Sequence, residues 1–403
     1  MRTAAMREGE HRNNLLPECS ERMGTNMKEF SFSTRIFFGD SALKRLNQVV
    51  NKRVLIVTDD YMQKSGTVDH VAGFLTNCQV SVFDKVQPEP SIEIVSLGVK
   101  FAVEMNAQVI VALGGGSALD AAKAISVISK RLNPDTVNIE ECFAIPTTSG
   151  TGSEVTDYSV ITDTERGIKY PLYGEKFRPA TAILDPELVA TAPPQVTAAT
   201  GMDVLTHAIE AYVSENASDF TDALAEKAVT LCMRFLPLAY KDGGDLLARE
   251  KMHNASCLAG LAFNTSGLGL NHSIAHAVGA KLHISHGKIN AMLLPYVIDF
   301  NANLAGTENF SVTARKYQRI AKISDLSAPS VIVGVAALRR AIAEMNKLMQ
   351  IPATLRENGT DLKLFDSLRN EIIYAALDDV CTKTNPRSVK AEDIEAILKR
   401  VRG

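Results

Sequence analysis

The chain has 403 residues, of which 46% are hydrophobic and 22% are charged, and its formal net charge at pH 7 is -3. A chain of this length usually divides into two domains. The weak charge excludes the basic field expected of a protein that binds nucleic acid or an anionic membrane surface, and no apolar run approaches the length of a membrane span.

Residues 1–26 are polar and precede the first predicted strand. They lack the apolar core of a secretory signal, so we expect a disordered tail. The six cysteines of the chain are scattered without CxxC spacing. This distribution is typical of reduced thiols in a cytoplasmic protein.

Short β-branched runs alternate with helical periods through residues 27–190. The strands are predicted at residues 30–38, 53–60, 79–84, 107–116, 143–148, 155–163, 167–173 and 181–186. Alternation of this kind indicates an α/β domain with a mostly parallel, Rossmann-like sheet. We therefore expect a dinucleotide-binding domain over this range.

A run of glycines follows one of these strands and precedes a predicted helix. Gly114, Gly115, Gly116 and Ser117 form the sequence GGGS. Glycines allow backbone amides to approach a phosphate, and the helix N-terminus adds partial positive charge. The GxGxxG and Walker patterns are absent, so the run by itself fits a tight turn as well as it fits a phosphate loop.

Two further strand ends carry polar side chains. Asp59 closes the strand RVLIVTD, and Thr147 and Thr148 open the segment TTSGTGSE. Ligands of α/β sheets bind at the carboxyl ends of the strands, where a carboxylate can bind the adenosine ribose and repel the 2′-phosphate of NADP. The sequence therefore predicts NAD as the cofactor, with Asp60 as an alternative to Asp59.

From about Pro194 nearly every periodic stretch is helical, which predicts an all-helical domain over residues 191–403. Its first helix carries Asp203 and His207, four positions apart and therefore on one face. A later segment of this domain contains His272, His276, His283 and His286.

Carboxylate and imidazole donors without a neighbouring cysteine argue against a closed structural zinc site and for a divalent metal with open positions. Spacing alone would select His272 and His276 as ligands, because they too are four positions apart on a predicted helix.

Taken together, these motifs resemble those of the iron-dependent (group III) alcohol dehydrogenase family. The segments GGGSALDAAK, PTTSGTGSE, GMDVLTHAIEAY and GLGLNHSIAHAVGA occur in the family's order, and the resemblance runs from about residue 29 to the end. Within the family the chain resembles in particular the propanol dehydrogenases of propanediol-utilising bacterial microcompartments. The resemblance implies a dehydroquinate-synthase-like fold, with an α/β N-terminal domain and an all-α C-terminal domain.

The resemblance also implies the roles of individual residues. Metal ligation, by Fe2+ or by Zn2+ on the same ligands, falls to Asp203, His207, His272 and His286, and His276 becomes a proton relay near the substrate. The NAD-binding positions are Asp59, Gly115, Gly116, Ser117, Asp120, Thr147, Thr148 and Lys169, and the pocket walls are Tyr158 and Phe263. Asp120 has an alternative role as a cap of the helix first turn. Lys169 has the alternative of being merely solvated, and Tyr158 and Phe263 have the alternative of ordinary packing.

The function implied is NAD-dependent interconversion of a short-chain primary alcohol and its aldehyde, with propanal and 1-propanol as the first choice. Dehydrogenases of 1,3-propanediol or glycerol are alternatives, and a lyase of the dehydroquinate synthase type or a non-catalytic microcompartment component are alternatives of other classes. The resemblance further implies a cytoplasmic homo-oligomer inside a microcompartment. It also suggests that residues 1–26 contact a shell protein there, a role of the tail that the sequence leaves open.

Overall fold

The sheet-forming part of the chain lies in its N-terminal half. The structure is a computed structural model that describes residues 29–166, 168–305 and 310–403, so the tail predicted at 1–26 lies outside the described residues. The strands are β1 (Arg35–Phe38), β2 (Arg53–Asp59), β3 (Gln79–Val86), β4 (Val109–Gly114), β5 (Glu141–Pro146), β6 (Tyr158–Asp163), β7 (Ile168–Tyr173) and β8 (Thr181–Leu184).

Helices flank the sheet and then form the rest of the chain. They are α1 (Asp60–Lys64), α2 (Thr67–Ala72), α3 (Ile92–Glu104), α4 (Gly116–Leu132), α5 (Glu187–Ala190), α6 (Pro194–Val213), α7 (Asp219–Lys241), α8 (Leu246–Ser266), α9 (Leu270–Leu282), α10 (His286–Ala302), α11 (Val312–Ile323), α12 (Val331–Leu348), α13 (Leu362–Asp378) and α14 (Ala391–Arg402). Short 3-10 turns lie at Ala42–Gln48, Ser153–Val155, Glu175–Phe177 and Val380–Thr384.

Six strands form one parallel sheet in the order β1-β8-β5-β4-β2-β3. Every residue of β4 is buried, because apolar clusters cover both faces of the sheet. Burial on both faces explains why the inner strands read as continuous apolar runs rather than as alternating ones. The predicted α/β fold of the N-terminal region is confirmed.

The sheet reverses its direction of growth between β2 and β4. From β2 the chain adds β3 on one side, and from β4 it adds β5 and β8 on the other. A crevice opens at the carboxyl ends of the two strands where such a reversal occurs, and ligands of α/β sheets bind there. Asp59 ends β2 and Gly114 ends β4, so both residues stand at this crevice.

Three predicted strands differ from expectation. The strand predicted at 30–38 begins only at Arg35, because it pairs with the four-residue strand β8 alone. The strands predicted at 155–163 and 167–173 do not join the parallel sheet. They form β6 and β7, an antiparallel pair of their own.

Helix α6 is the centre of the helical region. All residues from Gly201 to Val213 are buried, so this helix has no solvent face in its second half. A helix that is apolar on nearly all sides belongs in the middle of a bundle. Asp203 and His207 are thereby held inside the protein, in the large apolar core that α6 shares with α7 to α14.

Residues Phe32–Gly403 form one compact unit. The all-helical character of the C-terminal region is as predicted, whereas the domain boundary between residues 190 and 191 stays a prediction. In the described part of the chain, no helix has both the length and the apolar character needed to cross a bilayer.

Candidate active site

Four side chains from three helices converge at the centre of the helical region. Asp203 and His207 lie on α6, His272 lies on α9, and His286 is the first residue of α10. One ligand-capable atom from each residue lies within 4.8 Å of the corresponding atoms of the other three. The rings of His207 and His272 stack with their centroids 4.5 Å apart.

Burial and mutual charge set the protonation of this group. Burial opposes ionisation of Asp203, but the surrounding histidines hold its pKa well below the usual range. Burial lowers the pKa of His207 to about 4 and that of His286 to about 3. At neutral pH these two rings are therefore neutral and offer lone pairs beside a carboxylate.

His272 differs from the other two histidines because carboxylates flank it. Burial acts to lower its pKa, but Glu210 and Asp203 raise it to about 9. A cation that binds the ring must therefore displace a proton, as is general for metal sites with histidine ligands.

The donor set fits a divalent transition metal. It consists of one carboxylate and three imidazoles, which suit Fe2+ or Zn2+. Among the described residues, the buried Nδ1 atom of His207 has no hydrogen-bond partner. The amide nitrogen of Asn290 lies 2.7 Å from Asp203 Oδ1, 3.2 Å from His272 Nε2 and 3.1 Å from His286 Nε2. One ligand-capable atom of Asp203, one of His272 and one of His286 thus face the same point, as they would face a cation.

His276 stands beside this group and belongs to a second one, with Asp379 and Cys381. Its Nδ1 lies 2.9 Å from Asp379 Oδ2, its side chain is 44% exposed, and its ring stacks on that of His286 with centroids 5.3 Å apart. The structure therefore separates His276 from the four converging residues, although spacing alone would have paired it with His272.

The two aromatic residues proposed as pocket walls make different contacts. The Phe263 ring, on α8, stacks on His207 with a centroid distance of 4.6 Å. Tyr158 begins β6 and packs against Tyr173 with centroids 6.4 Å apart. Burial raises the pKa of Tyr158, and the neighbouring Asp157 acts in the same direction.

The crevice between β2 and β4 contains the predicted ribose contact. Asp59 Oδ1 accepts a hydrogen bond of 2.9 Å from the backbone of Met62 and so caps α1. A Cβ atom on Gly114 would lie 3.4 Å from Asp59 Oδ2, so the second oxygen faces the glycine run. Asp60, in contrast, is an exposed side chain that pairs with Lys64 at 2.5 Å. Asp59 is therefore the carboxylate of the crevice.

The glycine run packs tightly against the second predicted loop. Gly114 has φ +144°, and the backbone N–H of Thr147 donates to its carbonyl at 2.9 Å. A Cβ atom on Gly116 would lie 2.7 Å from the side chain of Thr151. Gly115 is the N-cap residue of α4 and supplies no side-chain cap, so the first N–H groups of that helix remain available to an anion.

Asp120 joins α4 to the second loop and to β6. Its Oδ1 accepts from Ser153 Oγ at 2.6 Å, and its Oδ2 accepts from the backbone of Val160 at 2.9 Å. The alternative of helix first-turn capping is therefore wrong for this residue. One bond ties α4, the helix that follows the glycine run, to Ser153 beside the Thr147–Gly152 segment, and the other ties it to β6.

A single residue, Glu89, links Lys169 to the glycine run. Its Nζ is 2.5 Å from Glu89 Oε1, and the backbone N–H of Glu89 donates to Ser117 Oγ at 3.3 Å. Lys169 and Glu89 are both exposed, so the role of this lysine at the cofactor stays a prediction.

Three polar residues at the site were not predicted. Glu210 contacts His272 Nδ1 at 2.5 Å, Asn290 donates to Asp203, and Asp379 pairs with His276. Glu210 could have been found from its spacing, three positions after His207, and Asn290 from its position four residues after His286. No local pattern indicates Asp379, which lies 103 residues from its partner.

Comparison with known proteins gives matches over nearly the whole chain. The model described as "Iron-containing alcohol dehydrogenase" matches residues 33–186, and the model "Fe-containing alcohol dehydrogenase family, C-terminal" matches residues 197–402. The chain is 44% identical over 382 residues to the 1-propanol dehydrogenase PduQ of Salmonella typhimurium, which covers 93% of this chain and 100% of that protein.

A second relative and a solved structure extend the comparison. The chain is 39% identical over 390 residues to the NADPH-dependent butanol dehydrogenase of Clostridium saccharobutylicum, with 93% of this chain and 98% of that protein covered. The crystal structure of a 1,3-propanediol oxidoreductase superposes with a TM-score of 0.83 at 32% identity, with 93% of this chain and all of that chain covered.

Proposed function

The chain belongs to the iron-containing alcohol dehydrogenase family, and we propose that it interconverts 1-propanol and propanal with NAD(H) and a divalent metal. The observation that carries this proposal is the convergence of Asp203, His207, His272 and His286, in a chain whose parallel sheet also has a ligand crevice at the ends of β2 and β4. The choice of substrate rests on the 44% identity to a 1-propanol dehydrogenase.

We assign the metal to those four residues and take Fe2+ as the native ion, with Zn2+ able to use the same ligands. When bound, a divalent ion supplies Lewis-acid stabilisation of negative charge on the oxygen of the alcohol or aldehyde. Asp203 contributes the negative charge of the ligand set, and the ring of Phe263 packs against that of His207.

The cofactor is assigned to the crevice at the ends of β2, β4 and β5. Asp59 would bind the adenosine ribose, and Gly115, Gly116 and Ser117 would surround the pyrophosphate at the N-terminus of α4. When bound in this crevice, NAD(H) would supply hydride chemistry for the substrate carbon. The further cofactor positions are Thr147 and Thr148 on the nicotinamide side, Asp120, which braces their loop, and Lys169 near the second ribose.

Proton transfer is assigned to His276. Its Nδ1 is bonded to Asp379 and its ring is partly exposed, so Nε2 is left to exchange a proton between the substrate oxygen and solvent. Asp379 orients the ring from the end of α13. Tyr158 and Phe263 are assigned to the walls of the substrate pocket.

A substrate panel tests the proposal. Enzyme purified without oxygen and analysed for metal would be assayed with ethanal, propanal, butanal, lactaldehyde and 3-hydroxypropanal, and in the oxidative direction with glycerol. We expect kcat/KM to be highest with propanal and NADH. A clear preference for 3-hydroxypropanal or glycerol would contradict the choice of substrate and would favour the second candidate, a diol or polyol dehydrogenase, which the likeness to 1,3-propanediol oxidoreductase supports.

We also propose that the enzyme acts in the cytoplasm, inside a bacterial microcompartment, and as a homo-oligomer. The location in a microcompartment is supported by the resemblance to propanol dehydrogenases of microcompartments. The homo-oligomer is supported by β1, an edge strand of the sheet whose Phe38 is 63% exposed. Co-sedimentation with purified shells would test the location, and light scattering of the purified protein would test the oligomeric state.

A further inference from the structure

Behind the four candidate ligands lies a second set of buried polar side chains, Glu210, Asn271 and Asn290, here called the inner network. They lie on α6, α9 and α10, the same three helices that carry the candidate ligands. Glu210 is 3% exposed and the two asparagines are fully buried. Polar groups at such depth are costly unless they are bonded, so their partners bear on what they do.

Glu210 determines which nitrogen of His272 carries a proton. Its Oε1 accepts from the backbone N–H of Asn271 at 2.7 Å, and its Oε2 lies 2.5 Å from His272 Nδ1. The oxygens of an ionised carboxylate only accept hydrogen bonds. A His272 ring that gives its Nε2 lone pair to a cation must therefore keep its remaining proton on Nδ1, facing Glu210.

The orientation of the two asparagine amides follows from a backbone carbonyl. The side-chain atom of Asn271 that lies 3.2 Å from the carbonyl oxygen of Asn290 must be the donor Nδ2, because a carbonyl only accepts. The same Nδ2 is 2.9 Å from the Asn290 side chain, whose facing atom is therefore Oδ1. Asn290 Nδ2 is then left to donate to Asp203 Oδ1 at 2.7 Å.

The surrounding backbone makes room for this arrangement. A Cβ atom on Gly269 would lie only 2.8 Å from Glu210 Oε1. The carboxylate can therefore reach the start of α9 because position 269 has no side chain. Gly269 is the N-cap residue of α9 and provides no side-chain cap. Glu210 takes the place of that cap, where its negative charge is stabilised by the helix N-terminus.

We propose that Glu210 and Asn290, linked by Asn271, are positioning residues that set the affinity of the site for its metal. Glu210 holds His272 in the tautomer that can ligate, and Asn290 holds Asp203 Oδ1 in place. This inference rests on the proposed function, in which the four converging residues bind a divalent cation. Substitution of residues that orient metal ligands typically weakens binding by about 10- to 100-fold.

The variant Glu210→Gln isolates the tautomer effect. Glutamine offers one acceptor and one donor where the fold presents two donors. If its oxygen stays on the backbone N–H of Asn271, its NH2 group faces His272 Nδ1. The imidazole can accept that bond only by moving its proton to Nε2, the nitrogen that faces the cation. The variant keeps the size of the side chain at position 210, but its His272 no longer presents an Nε2 lone pair to the cation.

The experiment measures metal affinity without any assay of turnover. Wild type, Glu210→Gln, Asn290→Ala and the control Asn346→Ala would be stripped of metal and titrated with Co2+ in competition with a chromophoric chelator. Asn346 is a matched control because it is also buried and donates to the backbone of α10, at Ala291, without touching a candidate ligand. Circular dichroism without metal would establish that each variant is folded.

We expect the Kd for Co2+ to rise about 10- to 100-fold in the Glu210 and Asn290 variants, with an altered Co2+ absorption spectrum, and to stay within about twofold in the control. Wild-type affinity and an unchanged spectrum in both variants would overturn the inference. If Glu210→Gln does not fold, Asn290→Ala decides. If the His272→Ala variant binds Co2+ as tightly as the wild type does, the metal site itself is refuted, and the inference with it.

Discussion

Removal of the charge on Asp59 should shift the enzyme's preference between NADH and NADPH. One oxygen of this carboxylate caps α1 through Met62, and the other faces the glycine run at Gly114. Asparagine caps a helix about as well as aspartate, so Asp59→Asn removes the charge and keeps the cap. Asp59→Ala removes both and should cost about 1 kcal/mol in the free energy of unfolding.

The expected magnitude follows from Coulomb's law. A carboxylate and one unit of phosphate charge about 5 Å apart repel each other by about 1 kcal/mol in water and by about 3 kcal/mol at an effective dielectric constant of about 20. Asp59 is only partly buried, so a value of about 1 to 2 kcal/mol applies. The ratio of kcat/KM for NADH to that for NADPH should therefore fall by about 5- to 30-fold in Asp59→Asn.

The control is Asp60→Asn, which removes the same charge one residue further along. Asp60 is exposed and paired with Lys64, so this variant should keep the wild-type ratio within about twofold. Kinetics with both cofactors at saturating propanal give the ratios. The reasoning is refuted if the wild type uses both cofactors equally well, or if Asp60→Asn changes the ratio more than Asp59→Asn does.

Three further predictions concern the metal, a buried carboxylate and the tail. His272→Ala and His286→Ala should lose bound metal and activity together, whereas His276→Ala should keep its metal by elemental analysis and lose about 10²- to 10⁴-fold in kcat; a metal-free His276 variant would contradict the assignment. Burial raises the pKa of Glu154 to about 7, so its proton stabilises the fold at low pH, and the free energy of unfolding should fall by about 3 kcal/mol between pH 4.5 and about 7. Glu154→Gln should remove this part of the pH dependence in denaturant titrations, and an unchanged slope would show that the carboxyl is not shifted. Deletion of residues 1–26 should leave kcat and KM unchanged, since every assigned residue lies beyond this range, and a loss of turnover would show that the tail helps to build the site.

Local sequence patterns were enough for several parts of the molecule. The apolar run at residues 107–116 predicted a strand, and β4 forms there, buried because apolar clusters cover both faces of the parallel sheet. The spacing of Asp203 and His207 predicted a shared helix face, because positions four apart lie one above the other on any α-helix. Both are properties of a single element, so no knowledge of its neighbours was required.

Other features depended on how distant elements meet. Spacing alone paired His272 with His276, whereas the fold brings His286 to the site, because α9 ends at Leu282 and the chain turns back into α10. The choice of Asp59 over Asp60 required the position of β4 beside β2, which only the strand order of the sheet provides.

The hydrogen bonds that support the site show most clearly how the site depends on contacts between distant elements. Asp379 reaches His276 across 103 residues, and Asn290 reaches Asp203 across 87. Hydrogen bonds of this kind join side chains whose separation along the chain carries no periodic signal. The sequence by itself therefore determined which elements form and which donor atoms each presents, and the packing of α6, α9, α10 and α13 decided which of those atoms meet.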